Sequence, residues 1–401
     1  MITKPILLDE TGQQMLSAMN RQNALLEIMA ADKIAELTTN LDEIHRLVRE
    51  GIAEEVLAVG DQINVAWSDG TNEYTVPLDI VHFGNVELQD GEIVPGMWLQ
   101  WHYCTPFGVQ FDGYEALYKA TEALPAGTYH FTQASTWSAA AAGTYQFTLT
   151  QDVPAGGVIA GLQRLADTAI EGNTVKTYAT PDATTPIETA TVTAGNGGTD
   201  LGTISNTVPG ALNSAQRLGY GYNRWSQSGI RQWLNSKAAV GAWWTPQNDF
   251  DMPPVELASQ RGFMAGFSDE FLSILGKIKV TTALNTVEGL ATDREDTYDT
   301  FFLPSMEQMY STPQLAGAEG EYWEYWKRAL GLTSPALTGS SYKYPGYLTY
   351  AINAKTSAQL VRLRSAFRGY ATSTWVVNST GYLGGNYAYY SGRCAPACVI
   401  C

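Results

Sequence analysis

From Ala366 to Gly392 the chain contains no Asp, Glu, Lys, Gln or Met and carries a single charge, Arg368, although 16% of the whole sequence is charged. Tyr, Gly, Ser, Thr, Asn, Val and Ala fill the stretch instead. A strand buried on one face needs apolar residues at every second position. The run GGNYAYYSG at 384–392 holds too much Gly and Ser to meet that need. Tyr gives a large, rigid contact area with little entropy to lose, and Ser, Gly and Asn give adaptable hydrogen bonds, the chemistry of an antibody paratope. The segment therefore reads as a surface carried on a frame that the rest of the chain must build.

That frame has ample material. At 401 residues the chain exceeds the roughly 250–300 residues at which a single core stops growing, which predicts two or three domains. The net charge of -16 repels phosphate backbones and excludes nucleic acid as a ligand. The opening MITKPILLDETGQQ has no basic region followed by an apolar run, and no stretch of about eighteen apolar residues occurs, so neither a signal peptide nor membrane insertion is expected.

The pattern changes along the chain and implies an α+β, β-rich protein in three parts. Residues 1–55 form a helical oligomerisation or anchor segment, being poor in Gly and Pro and rich in Leu, Met, Ala, Glu and Gln from residue 8 onward. Ile34, Leu37, Leu41, Ile44 and Val48 are spaced three, four, three, four. That spacing fits either a short coiled-coil seam or an amphipathic helix packed on its own domain. Residues 56–208 form a β-rich spacer, with INVAW-SDG-TNEYTV as a hairpin and the near-copies GTYHFT (127–132) and GTYQFT (143–148) as paired strands. His102 and Cys104 share a strand face there; they are candidate metal ligands, but with no second close pair a packed sheet role is favoured. Residues 209–401 form an α+β module. In it, Ser228 caps a helix with Ile230, Trp233 and Leu234 on one face, and Ser268 opens a second helix through SDEFLSILGKIKV.

The residue types of the closing stretch carry a second meaning. Random replacement of the adenines in an AAY asparagine codon yields Phe, Tyr, Ser, Thr, Asn, Arg, Gly, Val and Asp, and never Lys, Glu, Gln, Met or Trp. Phe367, Arg368, Gly369, Tyr370, Thr372, Ser373, Val376, Asn378, Tyr382, Gly384, Gly385, Asn386, Tyr387, Tyr389, Tyr390 and Gly392 all fall in the reachable set. Trp375 does not, and with Val377, Gly381 and Leu383 it reads as fixed frame.

With its RLRS opening, central Trp and RCAPACVI ending, this tail resembles the variable region of proteins diversified by diversity-generating retroelements. In that family the variable region closes a C-type-lectin fold. NRWSQSGIRQWLN, WWTPQNDFD, GFMAGFSDEFL and FFLPSMEQMY are similar to the framework of such a module in phages of gut bacteria. The resemblance implies a C-type-lectin-like domain over 209–401 with a variable region at about 366–392. It also implies a phage adhesin located on the virion, in a tail or another exposed position, reached by assembly in the host and lysis. Its partners would be a bacterial surface receptor, protein or glycan, and other virion proteins through the N-terminal region. A homotrimer joined at that region is expected.

No catalytic residue, cofactor or metal is expected. The tripeptides of calcium-dependent sugar binding are missing, since Asn248 and Asp249 follow Gln rather than Trp, and the variable stretch lacks clustered oxygens. Cys394, Cys398 and Cys401 match the C-x3-C-x2-C spacing of radical-enzyme iron–sulfur loops, yet stand at the end of the sequence, so buried thiols are expected. Rival readings are an oxidase of the formylglycine-generating type on the same fold, with Cys394 and Cys398 holding copper, and a purely structural virion protein.

Overall fold

The alternating run INVAW and its SDG turn form the expected hairpin, Gln62–Ser68 against Glu73–Glu87 in antiparallel register from Gln62↔Asp79 to Ser68↔Glu73. Asp69 makes the turn, its carboxylate accepting from the Thr71 and Asn72 N–H groups at 2.8 and 2.7 Å. The computed structural model describes residues 13–19, 21, 40–134, 141–162, 169–205, 214–335 and 342–401. With 36% of residues in strands and 17% in helices, the protein is α+β and β-rich, as the patterning implied.

The hairpin continues into Ile93–Trp101, and this third strand pairs on its far side with the closing strand Ala397–Ile400, which in turn meets Phe301–Phe302. Val399 lies opposite Trp98 and Cys398 opposite Leu99. The boundary drawn at 208/209 therefore cuts a sheet. Aromatic rings from both sides of it form one core: Trp101 and Phe263 are 5.4 Å apart, Trp233 and Phe263 5.0 Å, and Phe263 and Phe301 5.1 Å. Boundaries drawn from composition miss this because the pairing spans some 300 residues, and local patterning carries no trace of it.

The stretch from Leu117 to about Ile204 has a separate core, built from Tyr129, Phe131, Tyr145, Phe147, Val175 and Val192 among others, and a small third cluster around Tyr114, Val158, Tyr178 and Met252 lies at its base. Two four-stranded sheets enclose the separate core. The near-copies pair as expected, with Tyr129 opposite Phe147 and Phe131 opposite Tyr145. The β-rich unit is thus an insertion, leaving the larger body after the strand Val109–Gln110 and returning at the helix Ala215–Tyr220.

Of the expected N-terminal helix, residues 13–19 and Leu41–Arg49 are helical. Ile44, Leu47 and Val48 are buried in the larger core. For this stretch the spacing thus marks an amphipathic helix on its own domain rather than an oligomer seam; Ile34 and Leu37 lie outside the described residues.

The two Ser caps form as read: Ser228 Oγ accepts from Arg231 N–H at 3.3 Å and Ser268 Oγ from Phe271 N–H at 3.2 Å. The second helix, however, ends at Ser273, and Ile278–Ala283 is a strand paired with Arg294–Asp299. In IKVTTA the burial alternates through Val280 and Thr282, and this period of two overrides the helical reading. Gly276 separates the elements; a side chain there would collide with Cys401 Sγ.

Candidate functional site

The closing stretch is a three-stranded antiparallel sheet, Val361–Ala366, Ser373–Val377 and Leu383–Tyr387, joined by the loop 367–372 and the turn 378–382 and followed by the loop 388–392. Trp375 stands opposite Gly385 and Ser373 opposite Tyr387. Tyr370, Tyr387 and Tyr390 are the large exposed groups, at 49, 38 and 47% of full exposure. Gly369 and Gly385 are exposed beside them, and Phe367, Arg368, Tyr382, Gly384, Asn386 and Tyr389 are half-buried. Phe367, Trp375, Gly385 and Tyr387 make one aromatic face, whereas Gly384 and Asn386, opposite Val376 and Thr374, turn to the other side of the sheet. Phe367 stacks on Trp375 at 4.7 Å, and Tyr387 stacks on the buried Tyr220 at 3.8 Å.

Not every expected position belongs to that face. Thr372, Ser373, Val376 and Gly392 are buried; of these, Val376 points to the face of its strand opposite Trp375, whereas Ser373 shares the face of Trp375 and stands opposite Tyr387. A Cβ on Gly392 would come within 2.7 Å of Leu360 Cδ2. Asn378 is tied to its own turn, its Oδ1 accepting from Thr380 N–H at 2.9 Å and Tyr382 N–H at 3.1 Å. Trp375, expected in the frame, is half-buried and lies on the display face beneath Phe367. Codon reach sorts residue types and is blind to which way each side chain faces.

The residues that hold the face are ones the sequence reading did not single out. Arg362, on the first strand, is wholly buried. It donates to Tyr387 O at 3.0 Å, Tyr390 O at 2.8 Å and Thr374 Oγ1 at 2.5 Å. Burial pushes its guanidinium down to about 9, which leaves it charged at neutral pH. Asn223 Nδ2 donates to Tyr370 O at 2.7 Å and Ser373 O at 2.8 Å. Gln110 Nε2 donates to Tyr389 O at 2.6 Å. The Thr286 N–H and Oγ1 both reach Arg368 O at 2.9 Å, and Gln314 Oε1 accepts from Arg368 N–H at 2.6 Å. Every one of these bonds ends on a peptide group of the display segment, except that to Thr374. The available signal was VRLRS itself, two arginines in an apolar strand with no acid nearby in sequence.

Little free charge remains on the face. The Arg368 guanidinium is tied to Asp293 at 2.7 Å and to Leu284 O at 2.7 Å. Beneath the loop 388–392, Glu256 accepts from Ser391 Oγ and from Gln110 N–H, and burial raises its carboxyl. Deeper still, Arg217 pairs with Glu115 and, at 2.9 Å, with Glu288. Glu288 also accepts from Tyr222 Oη at 2.5 Å and Asn285 Nδ2 at 2.8 Å, and Asn285 donates to Asn223 Oδ1 at 3.2 Å. A buried polar chain thus runs from the insertion to the side chain that grips loop 367–372.

The thiols lie apart from this site. Cys104, Cys394 and Cys398 are buried and none is in a disulfide. Cys394 Sγ lies 3.8 Å from Thr105 Oγ1 and burial pushes its thiol up to about 12. Cys398 sits in the closing strand beside Leu99 and Phe301. His102 binds Asp79 through Nδ1 at 2.8 Å and stacks on Tyr347 at 4.1 Å, whereas Cys104 Sγ contacts Thr349 O at 3.6 Å. The strand ends at Trp101, so His102 and Cys104 do not share a strand face as expected. Among the described residues no three His, Cys, Asp or Glu side chains are grouped so as to hold a metal ion.

No curated protein and no solved structure matches the chain. Residues 204–401, which contain the display sheet and most of its frame, match the family described as a domain of unknown function, DUF6273.

Proposed function

We propose that the chain is a receptor-binding adhesin of a phage, and that the face formed by Phe367–Tyr370, Trp375 and Tyr382–Tyr390 is its ligand-contacting surface, varied from one lineage member to another by a diversity-generating retroelement. The observation that carries this reading is the manner of attachment. A segment whose side chains change can be kept in place only by groups that all residues share, its carbonyls and N–H groups. Arg362, Asn223, Gln110, Thr286 and Gln314 bind those groups. The exposed parts of Tyr370, Tyr387 and Tyr390 face the ligand, which is a protein or glycan receptor on a bacterial surface. The lectin-like module then serves as the frame, and the N-terminal region links the adhesin to other virion proteins and to two further copies. Several weak sites on one particle can exceed a single site by orders of magnitude.

Replacing Tyr370, Tyr387 and Tyr390 together by Ser tests the reading. Binding to host cells should fall at least about tenfold, while the fold persists. Unchanged binding would refute it. The retroelement part is tested in the neighbouring DNA, where a near-copy of codons 361–400 rich in AAY, beside a reverse-transcriptase gene, is expected.

A further inference from the structure

Trp375 and Gly385 face each other across paired strands, and the ring of Phe367 lies over the indole, 4.7 Å away and tilted by 24°. A Cβ at residue 385 would stand 2.8 Å from Phe367 Cδ2 and 3.1 Å from Cε2, closer than carbons approach without displacement. Gly384 and Gly369 differ: a Cβ on either meets nothing within 4 Å. The Trp375 indole is fixed from its other edge, where Nε1 donates to Gln314 Oε1 at 3.4 Å, the oxygen that also accepts from Arg368 N–H.

We infer that residues 367 and 385 compete for one place over the Trp375 indole, and that whichever of them fills it sets the shape of the display face; the inference rests on the display reading above. In this chain Phe367 holds the place and Gly385 yields it. The Phe367 ring in turn lies 5.5 Å from that of Tyr370, so the occupant from the 367 side also positions an exposed tyrosine. A large residue at 385 with a small one at 367 covers the indole from the neighbouring strand and releases loop 367–370 from its aromatic anchor. The face therefore has two kinds of variable position. Residue 369 adds groups to an unchanged surface, and the 367/385 pair reshapes it. Large residues at both positions do not fit, because close-packed groups have no spare volume to share.

A double-mutant cycle measures the competition. Gly385→Phe alone should lower the unfolding midpoint by about 4 °C or more through overpacking. Phe367→Ala/Gly385→Phe should regain most of that loss. With 5-fluorotryptophan incorporated and the residue 375 signal assigned by its loss in Trp375→Phe, the 19F resonance should shift in Phe367→Ala, where the covering ring is gone, and move back in the double variant. Additive midpoints, or a resonance indifferent to Phe367→Ala, would overturn the inference. A coupled pair whose four proteins all bind host cells equally well would sink the display reading and leave the packing competition standing.

Discussion

Replacing Arg362 by Met keeps the length of the stem and removes the guanidinium from beneath the display loop. Four acceptors then lose a charged donor: Tyr387 O, Tyr390 O, Thr374 Oγ1 and, at 3.5 Å, Asn386 O. A buried group left without its partner costs about 1–3 kcal/mol. Tyr390 is half exposed, so its carbonyl can turn to water as the loop loosens, whereas Thr374 is fully buried and cannot. Relief of the arginine's own burial offsets part of the loss. The balance is about 3 kcal/mol, which for a body of this size lowers the unfolding midpoint by roughly 4–6 °C. Calorimetry measures the midpoint, and hydrogen exchange at the amides of 386–392 locates the change. Tyr390→Ser supplies the contrast, because an exposed side chain away from special contacts changes stability by about 0.5 kcal/mol or less. If Arg362→Met costs under about 1 kcal/mol, or if Tyr390→Ser costs as much as it does, the segment is not held by its backbone and the argument for tolerated variation fails.

Gly392→Ala should destabilise by about 1–3 kcal/mol, since its Cβ meets Leu360 and the Arg362 guanidinium, whereas Gly384→Ala should be near neutral in open space; paired denaturant midpoints decide. Glu115 is pushed up to about 7 by burial, against the pull of Arg217. A carboxyl raised in the folded state gives stability that is complete below its unfolded value near 4.5 and disappears as pH climbs through 7. Wild type should thus be more stable at pH 5 than at pH 8 by about 2–3 kcal/mol from this group, and Glu115→Gln should flatten the dependence; an unchanged slope refutes the assignment. Met15, Leu16 and Met19 are exposed on the helical turn 13–19, and changing all three to Gln should convert the expected trimer to monomers in sedimentation without moving the midpoint. Ile44→Ala, by contrast, should cost about 2–5 kcal/mol because that residue is buried in the chain's own core.

What could be read in advance was what depends on near neighbours. Turn chemistry at Asp69, caps at Ser228 and Ser268, and the paired near-copies around Tyr129 and Tyr145 each involve groups within some twenty residues. The closing strand Ala397–Ile400 could be read only as apolar; that it completes a sheet begun at Gln62 is set by packing, which composition does not encode. Arg362 and Arg364 were hidden by a sound rule. Charged residues are almost never buried unless paired, and their partners here are carbonyls, Thr374 and Gln308, invisible to any search for acids in the sequence. The aromatic face was legible as a composition, but its membership was not: Val376 and Gly384 are equally reachable codon products, and one is buried while the other opens on solvent.

The place of the insertion bears on how well such a face can bind. Its two connections flank the display loop directly: Phe111 N–H donates to Ala388 O at 2.9 Å on one side, and Tyr389 N–H donates to Tyr220 O at 2.9 Å on the other. Gly221, at φ 74°, lies between them, and a side chain there would strike Gly113 O and crowd Tyr389 N. Arg217, on the returning helix, is locked to Glu115 on the outgoing segment and to Glu288 beside Asn223. The loop bearing Tyr387, Tyr389 and Tyr390 is therefore gripped by the root of a separate folded unit as well as by its own sheet. Ordering a mobile loop subtracts from affinity, and a loop already ordered avoids that loss. On the proposed reading, a surface that tries new side chains without re-optimising its backbone would gain most from such support, because each new set of residues would meet its ligand from the same rigid scaffold.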